Sequence, residues 1–312
     1  MGKTVILIVV LVVIIFGVLP LVGLPLILYS VLLVRTSKKK WARECSILED
    51  EEYKRMFDIG MAWGEENASK KTEVEIVSEG YKLVGEYFDF GFERAVVIVP
   101  GRMESLLYSY YFSNPYKEAG YNVLEIDNRS HGLSEGHVNS LGYKEYKDLL
   151  NWARFLHDEK GVKSVVFHGI CIGSSASLFA LTDNNCPDYV SAMVAEGMYV
   201  NFSESFKNHF ILDGRKLFPI YYICLFYMKI FSGADVVHDG PIARIDKLNK
   251  PILFMHSRQD KFSLPEKAQE IYDKCVAPKR IIWYDIGDHS RIRINNTEKY
   301  DSEIVSFLET LE

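Results

Sequence analysis

The most apolar stretch of the chain lies at its start. From Thr4 to Val34 there are 31 consecutive residues without a charged side chain. As a helix this run would extend about 46 Å, against about 30 Å for the hydrocarbon core of a bilayer. The run therefore predicts one membrane-spanning helix, because two spans would need about 40 residues. Pro20 and Pro25 are expected to kink or end the helix within it.

A cleaved signal peptide is the alternative interpretation of this run. The apolar part of a signal peptide is usually about 7–15 residues long and ends at a small-residue cleavage site. Here the run is about twice that length and is followed by five cations within ten residues, whereas only Lys3 and the amino terminus precede it. By the positive-inside rule, this bias predicts a single-pass membrane protein whose remaining chain is cytoplasmic.

After residue 71 the pattern changes to short apolar runs that alternate with helical periodicities. The apolar runs predict eight strands, at Val74–Val77, Leu83–Phe88, Ala95–Val99, Tyr121–Ile126, Ser164–Phe167, Val190–Val194, Ile252–Met255 and Arg280–Tyr284. The helical patterns lie near residues 105–119, 143–159, 174–182, 265–275 and 298–311. Such alternation is typical of a mostly parallel sheet covered by helices on both faces, so we predict an α/β fold.

Charge and cysteine content exclude several classes of function. The whole chain carries −6, and its first 43 residues hold six cations and no anion, so the remaining residues carry −12. An acidic body argues against nucleic-acid binding. The five cysteines form neither a CxxC pair nor a zinc spacing, which suits a reducing compartment. No glycine-rich phosphate loop follows a predicted strand, and we predict neither a metal nor a cofactor.

One segment has the pattern of a nucleophile on a sharp turn. The strand ending at Phe167 leads into His168-Gly169-Ile170-Cys171-Ile172-Gly173, and a helix rich in small residues follows. A nucleophile on such a strand-to-helix turn has a strained backbone, and bulky side chains two residues away would clash, which explains Gly169 and Gly173. The amino end of the helix points at Cys171 and favours its thiolate. A buried structural thiol is the alternative for Cys171, and it is the interpretation we keep for Cys45, Cys186, Cys224 and Cys275.

Residues 72 to 311 resemble the α/β-hydrolase superfamily, and in particular membrane-anchored bacterial hydrolases related to serine aminopeptidases and acyl-ester hydrolases. Their Asp-x-Arg-x-His-Gly-x-Ser segment is matched by Asp127 to Ser134. The usual nucleophile of the superfamily is Ser; Cys171 is similar to the Cys of dienelactone hydrolases. The resemblance implies an α/β-hydrolase fold with an eight-stranded, mostly parallel sheet and a helical cap insertion, here after one N-terminal transmembrane helix.

The residue pattern and the resemblance together predict how the chain is divided. Residues 1–43 would be the transmembrane anchor with its basic flank, 44–71 a juxtamembrane linker with a helix at about 48–66, and 72–312 the hydrolase domain. Ser46 and Glu49 have the spacing of a capping box at the start of the linker helix. The cap would occupy about residues 197–245. Its apolar segment Phe218–Phe231 is too short for a second span and is expected to form an acyl pocket, a lid on the bilayer or ordinary cap packing.

The superfamily's chain order, which is nucleophile, acid, base, places the other catalytic residues. After Cys171, Asp260 follows the strand Ile252–Met255, and His289 follows the strand Arg280–Tyr284. The oxyanion hole would use the backbone amides of Ile172, next to the nucleophile, and Arg102, after the strand Ala95–Val99. Asp288 is an alternative acid, and Ser174 an alternative nucleophile.

These residues predict a membrane-anchored hydrolase that cleaves a small-molecule carboxylic ester or thioester through a Cys171–His289–Asp260 triad and an acyl-enzyme. An acyltransferase or a peptidase could use the same site. A second class of function is a binding or scaffold protein that has kept the fold and lost the serine. The retention of both Asp260 and His289 favours the enzyme, because a site without chemistry has no need of either residue.

Overall fold

The computed structural model describes residues 2–45 and 47–311. One eight-stranded sheet organises them, with the strands side by side in the order β1-β2-β4-β3-β5-β6-β7-β8. The eight predicted strands are confirmed, most of them one to three residues longer than expected: β1 Lys71–Ser78, β2 Tyr81–Phe88, β3 Arg94–Val99, β4 Asn122–Ile126, β5 Ser164–Ile170, β6 Val190–Glu196, β7 Ile252–Ser257 and β8 Lys279–Tyr284.

The sheet has a short antiparallel part at one edge and is parallel elsewhere. β1 and β2 form an antiparallel hairpin and β2 pairs antiparallel with β4, whereas β4, β3, β5, β6, β7 and β8 are parallel neighbours. The central strands are almost wholly buried, as their unbroken apolar sequences require, while β1 at the edge exposes five of its eight residues. The carboxyl ends of the parallel strands therefore meet at one edge, where loops can gather functional side chains.

Helices cover both faces of the sheet, and one apolar cluster fills each interface. One face packs against the helices Glu145–Lys160, Ile172–Leu181 and Pro265–Lys274. The other packs against Glu51–Glu66, the short helices Leu106–Ser109 and Asn114–Glu118, and the helices Ile292–Asn295 and Thr297–Glu309. The α/β architecture expected from the sequence is thus confirmed.

Two helical predictions need correction in detail. The single helix expected near residues 105–119 is instead Leu106–Ser109, a 3₁₀ turn Tyr110–Phe112 and Asn114–Glu118. Pro115 accounts for the break, because a proline inside a continuous helix would lack its backbone N–H and clash with the preceding turn. The linker helix begins at Glu51, where the Asp50 side chain accepts the Tyr53 N–H at 3.0 Å. The predicted capping box depends on Ser46, which lies outside the described residues.

The N-terminal helix runs from Gly2 to Leu33, with a π-helical turn at Ile14–Val18 just ahead of Pro20. The helix continues through Pro25, so neither proline ends it. Among the described residues, one helix is long and apolar enough to cross a membrane, and it is this one. A signal sequence meets the same criterion. Residues 2–12 and 15–21 are largely exposed, as expected of a surface that faces lipid.

The end of this helix is built into the rest of the protein. Tyr29 and Leu33 are buried in a third apolar cluster with residues of the cap helices Phe202–Leu212 and Ile220–Tyr227. Most carbonyl groups of its last turn have partners outside the helix. The Lys40 ammonium donates to the carbonyls of residues 30, 31 and 34, the Arg102 guanidinium to Leu32 at 3.1 Å, and the Asn139 N–H to Leu33 at 2.9 Å.

Candidate active site

Cys171 sits on a strained turn between β5 and the helix Ile172–Leu181. Its φ of 55° is one that L-residues rarely adopt. The turn is possible only between glycines: a Cβ at Gly169 would lie 2.3 Å from the Ser174 nitrogen, and one at Gly173 would lie 2.1 Å from the Val99 carbonyl oxygen. The sequence pattern thus corresponds to a turn that presents the thiol at the carboxyl edge of the sheet.

His289 and Asp260 meet beside this turn. Nδ1 of His289 lies 2.7 Å from Oδ2 of Asp260 and donates to it. The other oxygen of Asp260 accepts the backbone N–H groups of Phe262 at 2.9 Å and Ser263 at 2.8 Å, so the buried carboxylate is held in one orientation. Because Nδ1 is occupied, Nε2 is the ring nitrogen available to the Cys171 thiol, with which His289 also interacts through a hydrogen bond.

The charges of the three groups support one another. Burial alone would lower the pKa of His289, but the Asp260 carboxylate and the Cys171 thiolate outweigh burial and raise this pKa well above its ordinary value. Burial raises the pKa of Asp260, and the nearby His289 reverses this and leaves it below its usual range. The arrangement places an imidazole, oriented by a buried carboxylate and with its protonated form stabilised, beside the Cys171 thiol.

A cavity of about 200 Å³ opens in front of the thiol. Cys171, Ile172, Arg102 and His289 all line it, so the structure brings both expected oxyanion residues to the nucleophile. Apolar and aromatic side chains of the linker, the segment after β3, the cap and the loop after β7 form part of the remaining lining: Ile47, Tyr53, Met103, Tyr108, Phe202 and Phe262. Polar and charged side chains, among them Glu104, His209 and Arg291, form the rest, so the cavity offers both apolar and charged surface beside the sulfur.

The Asp127 to Ser134 segment shapes the site and supplies none of its reacting groups. Asp127 accepts the backbone N–H groups of Leu106 at 3.0 Å and Leu133 at 2.9 Å. Nε2 of His131 donates to the Arg102 carbonyl at 2.8 Å, and its ring stacks on Trp41 at 4.3 Å. The loop that carries the Arg102 amide is therefore held by His131, and through it by the segment that follows the N-terminal helix.

The alternative site residues lie in unsuitable surroundings. Ser174 is fully buried and donates to the carbonyls of Gly169 at 2.6 Å and Glu196 at 3.0 Å, so its hydroxyl does not face the cavity. Asp288 is exposed, and the carboxylate that contacts His289 is Asp260. Within residues 2–45 and 47–311, no group of three or more His, Cys, Asp or Glu side chains is placed to hold a metal ion.

Two features beside the triad were not foreseen from the sequence. Gly197 follows β6 with φ of 61°, and a Cβ there would lie 3.1 Å from Cε1 of His289. Below the strained turn at Cys171, which we call the elbow, the buried Glu196 carboxyl accepts the Tyr300 hydroxyl at 2.5 Å. The same hydroxyl also lies 3.2 Å from His168. Burial raises the pKa of Glu196 to about 7. A glutamate at the end of an apolar strand was the available signal, but the sequence does not show that Tyr300 reaches it.

Comparisons with known proteins agree with this architecture. A family model described as alpha/beta hydrolase fold matches residues 94–219. The uncharacterized protein YqkD of Bacillus subtilis (strain 168) is 26% identical over 220 residues, covering 70% of this chain and 72% of that one.

Solved structures resemble the chain over most of its length. An esterase of Pyrococcus furiosus is 22% identical with a TM-score of 0.67, covering 80% of this chain and 94% of its own. An alpha-beta hydrolase of Vibrio vulnificus is 17% identical with a TM-score of 0.61, covering 91% and 94%. An esterase of Exiguobacterium antarcticum is 16% identical with a TM-score of 0.56, covering 76% and 99%. The matched family model and the shared architecture show that this chain has the α/β-hydrolase fold.

Proposed function

We propose that the protein is a hydrolase of carboxylic esters or thioesters that uses Cys171 as its nucleophile, His289 as its base and Asp260 as the residue that orients the base. The observation that carries the proposal is the shared geometry of the three. Cys171 has the backbone conformation of an elbow, it lines a cavity together with His289, and His289 bonds at 2.7 Å to a buried carboxylate. The similarity to solved esterases agrees with ester chemistry.

The reaction would proceed in two steps. The Cys171 thiolate attacks the acyl carbon, and the amides of Arg102 and Ile172 stabilise the negative oxygen. Collapse breaks the bond to the leaving group, which takes the proton held by His289. His289, now neutral, removes a proton from water. Water attacks the thioester, the carbon–sulfur bond breaks, and the carboxylic acid and the thiolate–imidazolium pair are restored.

The burial of the C-terminal part of the N-terminal helix supports an anchor over a signal peptide. Leu33 is fully buried, and the Leu32 carbonyl accepts from Arg102, a residue of the cavity wall. Cleavage that removed this helix would expose the apolar cluster beneath the cap to water, at a cost of about 25 cal/mol for each Å² of apolar area. We therefore propose that residues 1–43 anchor a hydrolase domain of residues 72–312 through the linker 44–71, with the domain in the cytoplasm.

The function is tested with the full-length protein in neutral detergent and a panel of short acyl esters and thioesters. The expected result is turnover, with an acyl group trapped on Cys171 and identified by mass spectrometry. Cys186→Ala, which alters a thiol that lies outside the cavity, is the matched control. Turnover by wild-type protein with no adduct at Cys171, and with unchanged rate in Cys171→Ala, would rule out the covalent mechanism. A protein without turnover on the whole panel would favour the scaffold.

The orientation is tested by proteolysis of cells. The five cations after the apolar run support a domain on the inner side of the membrane. Protease added to intact cells is therefore expected to spare residues 44–312 and to digest them after permeabilisation. Digestion in intact cells would reverse the proposed orientation without affecting the proposed chemistry.

A further inference from the structure

An apolar groove separates the N-terminal helix from the cap. It has a volume of about 500 Å³, and its apolar walls come from both elements: Leu24, Ile27, Leu28 and Val31 on the helix, and Phe210, Phe218 and Ile220 on the cap. Several of these side chains face outward, with Ile27 62% exposed and Phe218 79% exposed. Exposed apolar surface of this kind is unfavourable in water and is matched by an apolar occupant.

Two cations, Arg215 and Lys216, belong to the same groove. The Arg215 guanidinium lies 3.2 Å from the Asp213 carboxylate and stacks over the Phe210 ring at 5.8 Å. Together Asp213, Arg215 and Lys216 leave one net positive charge beside the apolar walls. The groove therefore combines a surface for a hydrocarbon chain with a point of attachment for an anion.

In an anchored protein, the helical wall of the groove would lie next to the headgroup layer. The uncharged run ends at Val34, and the cations that begin at Arg35 mark the headgroup layer. Leu24 and Val31 precede Arg35 by eleven and four residues, which corresponds to about 16 Å and 6 Å along a helix axis. The helical wall of the groove thus occupies the part of the leaflet where acyl chains begin.

We propose that this groove binds one anionic phospholipid of the bilayer, with an acyl chain between the N-terminal helix and the cap and the phosphate on Arg215 and Lys216. The site is separate from the catalytic cavity. Phe202, Ser205 and His209 of the cap helix Phe202–Leu212 line the cavity, whereas Phe210 lines the groove. The lipid is therefore a bound ligand that joins the cap to the membrane. Its binding depends on the proposed anchoring and not on the proposed chemistry.

The test measures lipid retained by full-length protein. The protein is extracted from membranes in neutral detergent and titrated with phosphatidylglycerol or phosphatidylcholine, and native mass spectrometry counts the bound lipids. We expect one phosphatidylglycerol, bound at least about tenfold more tightly than phosphatidylcholine. The double variant Arg215→Gln/Lys216→Gln should lose this preference. Lys267→Gln/Lys274→Gln removes two cations from the helix Pro265–Lys274, away from the groove, and should keep it.

A phosphatidylglycerol with a photoreactive group in its acyl chain locates the ligand. Labelling is expected within residues 24–31 and 210–220, and Ile27→Trp, which fills the groove, should reduce it. Equal retention by wild type and the Arg215/Lys216 double variant, equal affinity for the two lipids, or displacement by inorganic phosphate alone would each overturn the proposal. Release of the wild-type protein from membranes by alkaline carbonate would instead overturn the anchoring, whatever the ester assays show.

Discussion

Cys171 and Cys224 both border the apolar cluster beneath the cap, yet their surroundings differ in every respect that matters for reactivity. Cys224 is fully buried, and its thiol donates to the Pro25 carbonyl of the N-terminal helix at 3.3 Å. Cys171 lines an open cavity, lies at the amino end of a helix and contacts His289. The comparison shows two cysteines at one apolar cluster that differ in backbone conformation, exposure and charged neighbours.

The electrostatic contrast follows from the same difference. Burial raises the pKa of Cys224 to about 11, because no nearby cation compensates the loss of water. At the elbow, the pKa of His289 is raised by Asp260 and by the Cys171 thiolate itself despite the opposing effect of burial. One cysteine is therefore a packed thiol, and the other lies beside an imidazole whose protonated form is stabilised. Each of the following variants tests one side of this contrast.

The largest effect is expected from removal of the elbow sulfur. Cys171→Ala should reduce the turnover of a short acyl ester by about 10⁴-fold or more, because the covalent step is lost. Cys224→Ala should stay within about twofold of wild type, since this thiol only packs against the N-terminal helix. Steady-state kinetics measure both. Cys171→Ser is expected to retain part of the activity, as Asp260 and His289 are already placed for a hydroxyl. Comparable losses of turnover in Cys171→Ala and Cys224→Ala would contradict the proposed difference in reactivity between the two thiols.

Alkylation compares the two thiols within a single molecule. At near-neutral pH, iodoacetamide should modify Cys171 at least about 100-fold faster than Cys224, because only the thiolate reacts. His289→Ala should slow the modification of Cys171 and leave Cys224 unchanged. Peptide mass spectrometry over time measures both rates in the same sample. Faster modification of Cys224 would show that solvent reaches the contact between the N-terminal helix and the cap.

The position of His289 is tested at Gly197. Gly197→Ala would bring a methyl group to about 3.1 Å from the imidazole, and a displaced base is expected to lower kcat by roughly 10- to 100-fold. Gly214→Ala is the matched control, because Gly214 has a similar φ of 67° with nothing within 4 Å of the added Cβ. Both variants carry the same backbone strain, so thermal unfolding should shift alike while kcat should fall only in Gly197→Ala. Equal kcat values would mean that the ring tolerates displacement.

The smallest effect concerns the buried carboxyl below Cys171. The pKa of Glu196 is about 7 in the folded protein against an ordinary 4.5. Between these values the unfolded chain releases the proton and the folded protein keeps it, so the free energy of unfolding falls as pH rises, by about 3 kcal/mol in total. Glu196→Gln should remove this decline, and its melting temperature relative to wild type should rise by several degrees from pH 5 to pH 8. A constant difference across this range would contradict the prediction.

The sequence was sufficient for features that local chemistry determines. The apolar runs predicted the central strands because a strand buried on both faces must be apolar throughout, and shorter apolar runs were enough to locate the partly exposed edge strands β1 and β8. Gly169 and Gly173 predicted the turn at Cys171, because side chains there would overlap the backbone. The roles of Cys171, His289 and Asp260 stay predictions, although the structure brings the three side chains together.

Other features depend on contacts between distant parts of the chain. The bond from Arg102 to the Leu32 carbonyl, the stack of Trp41 on His131, and the contact between Glu196 and Tyr300 join residues 70, 90 and 104 positions apart. No local pattern encodes such pairs. The broken helix at residues 106–118 and the helix start at Glu51 show a different limit, since several local signals competed and periodicity alone did not decide among them.

In an anchored protein, the capped end of the N-terminal helix would set the orientation of the α/β domain relative to the bilayer. Lys40, Arg102 and Asn139 bind the last carbonyls of the helix and so join its end to the loops around the sheet. In an anchored protein the reacting sulfur then has one fixed height and tilt above the lipid, and diffusion in the plane of the bilayer is its remaining freedom. A substrate would then be selected in two ways: by its fit to the cavity, and by the distance of its ester or thioester bond from the plane of the bilayer.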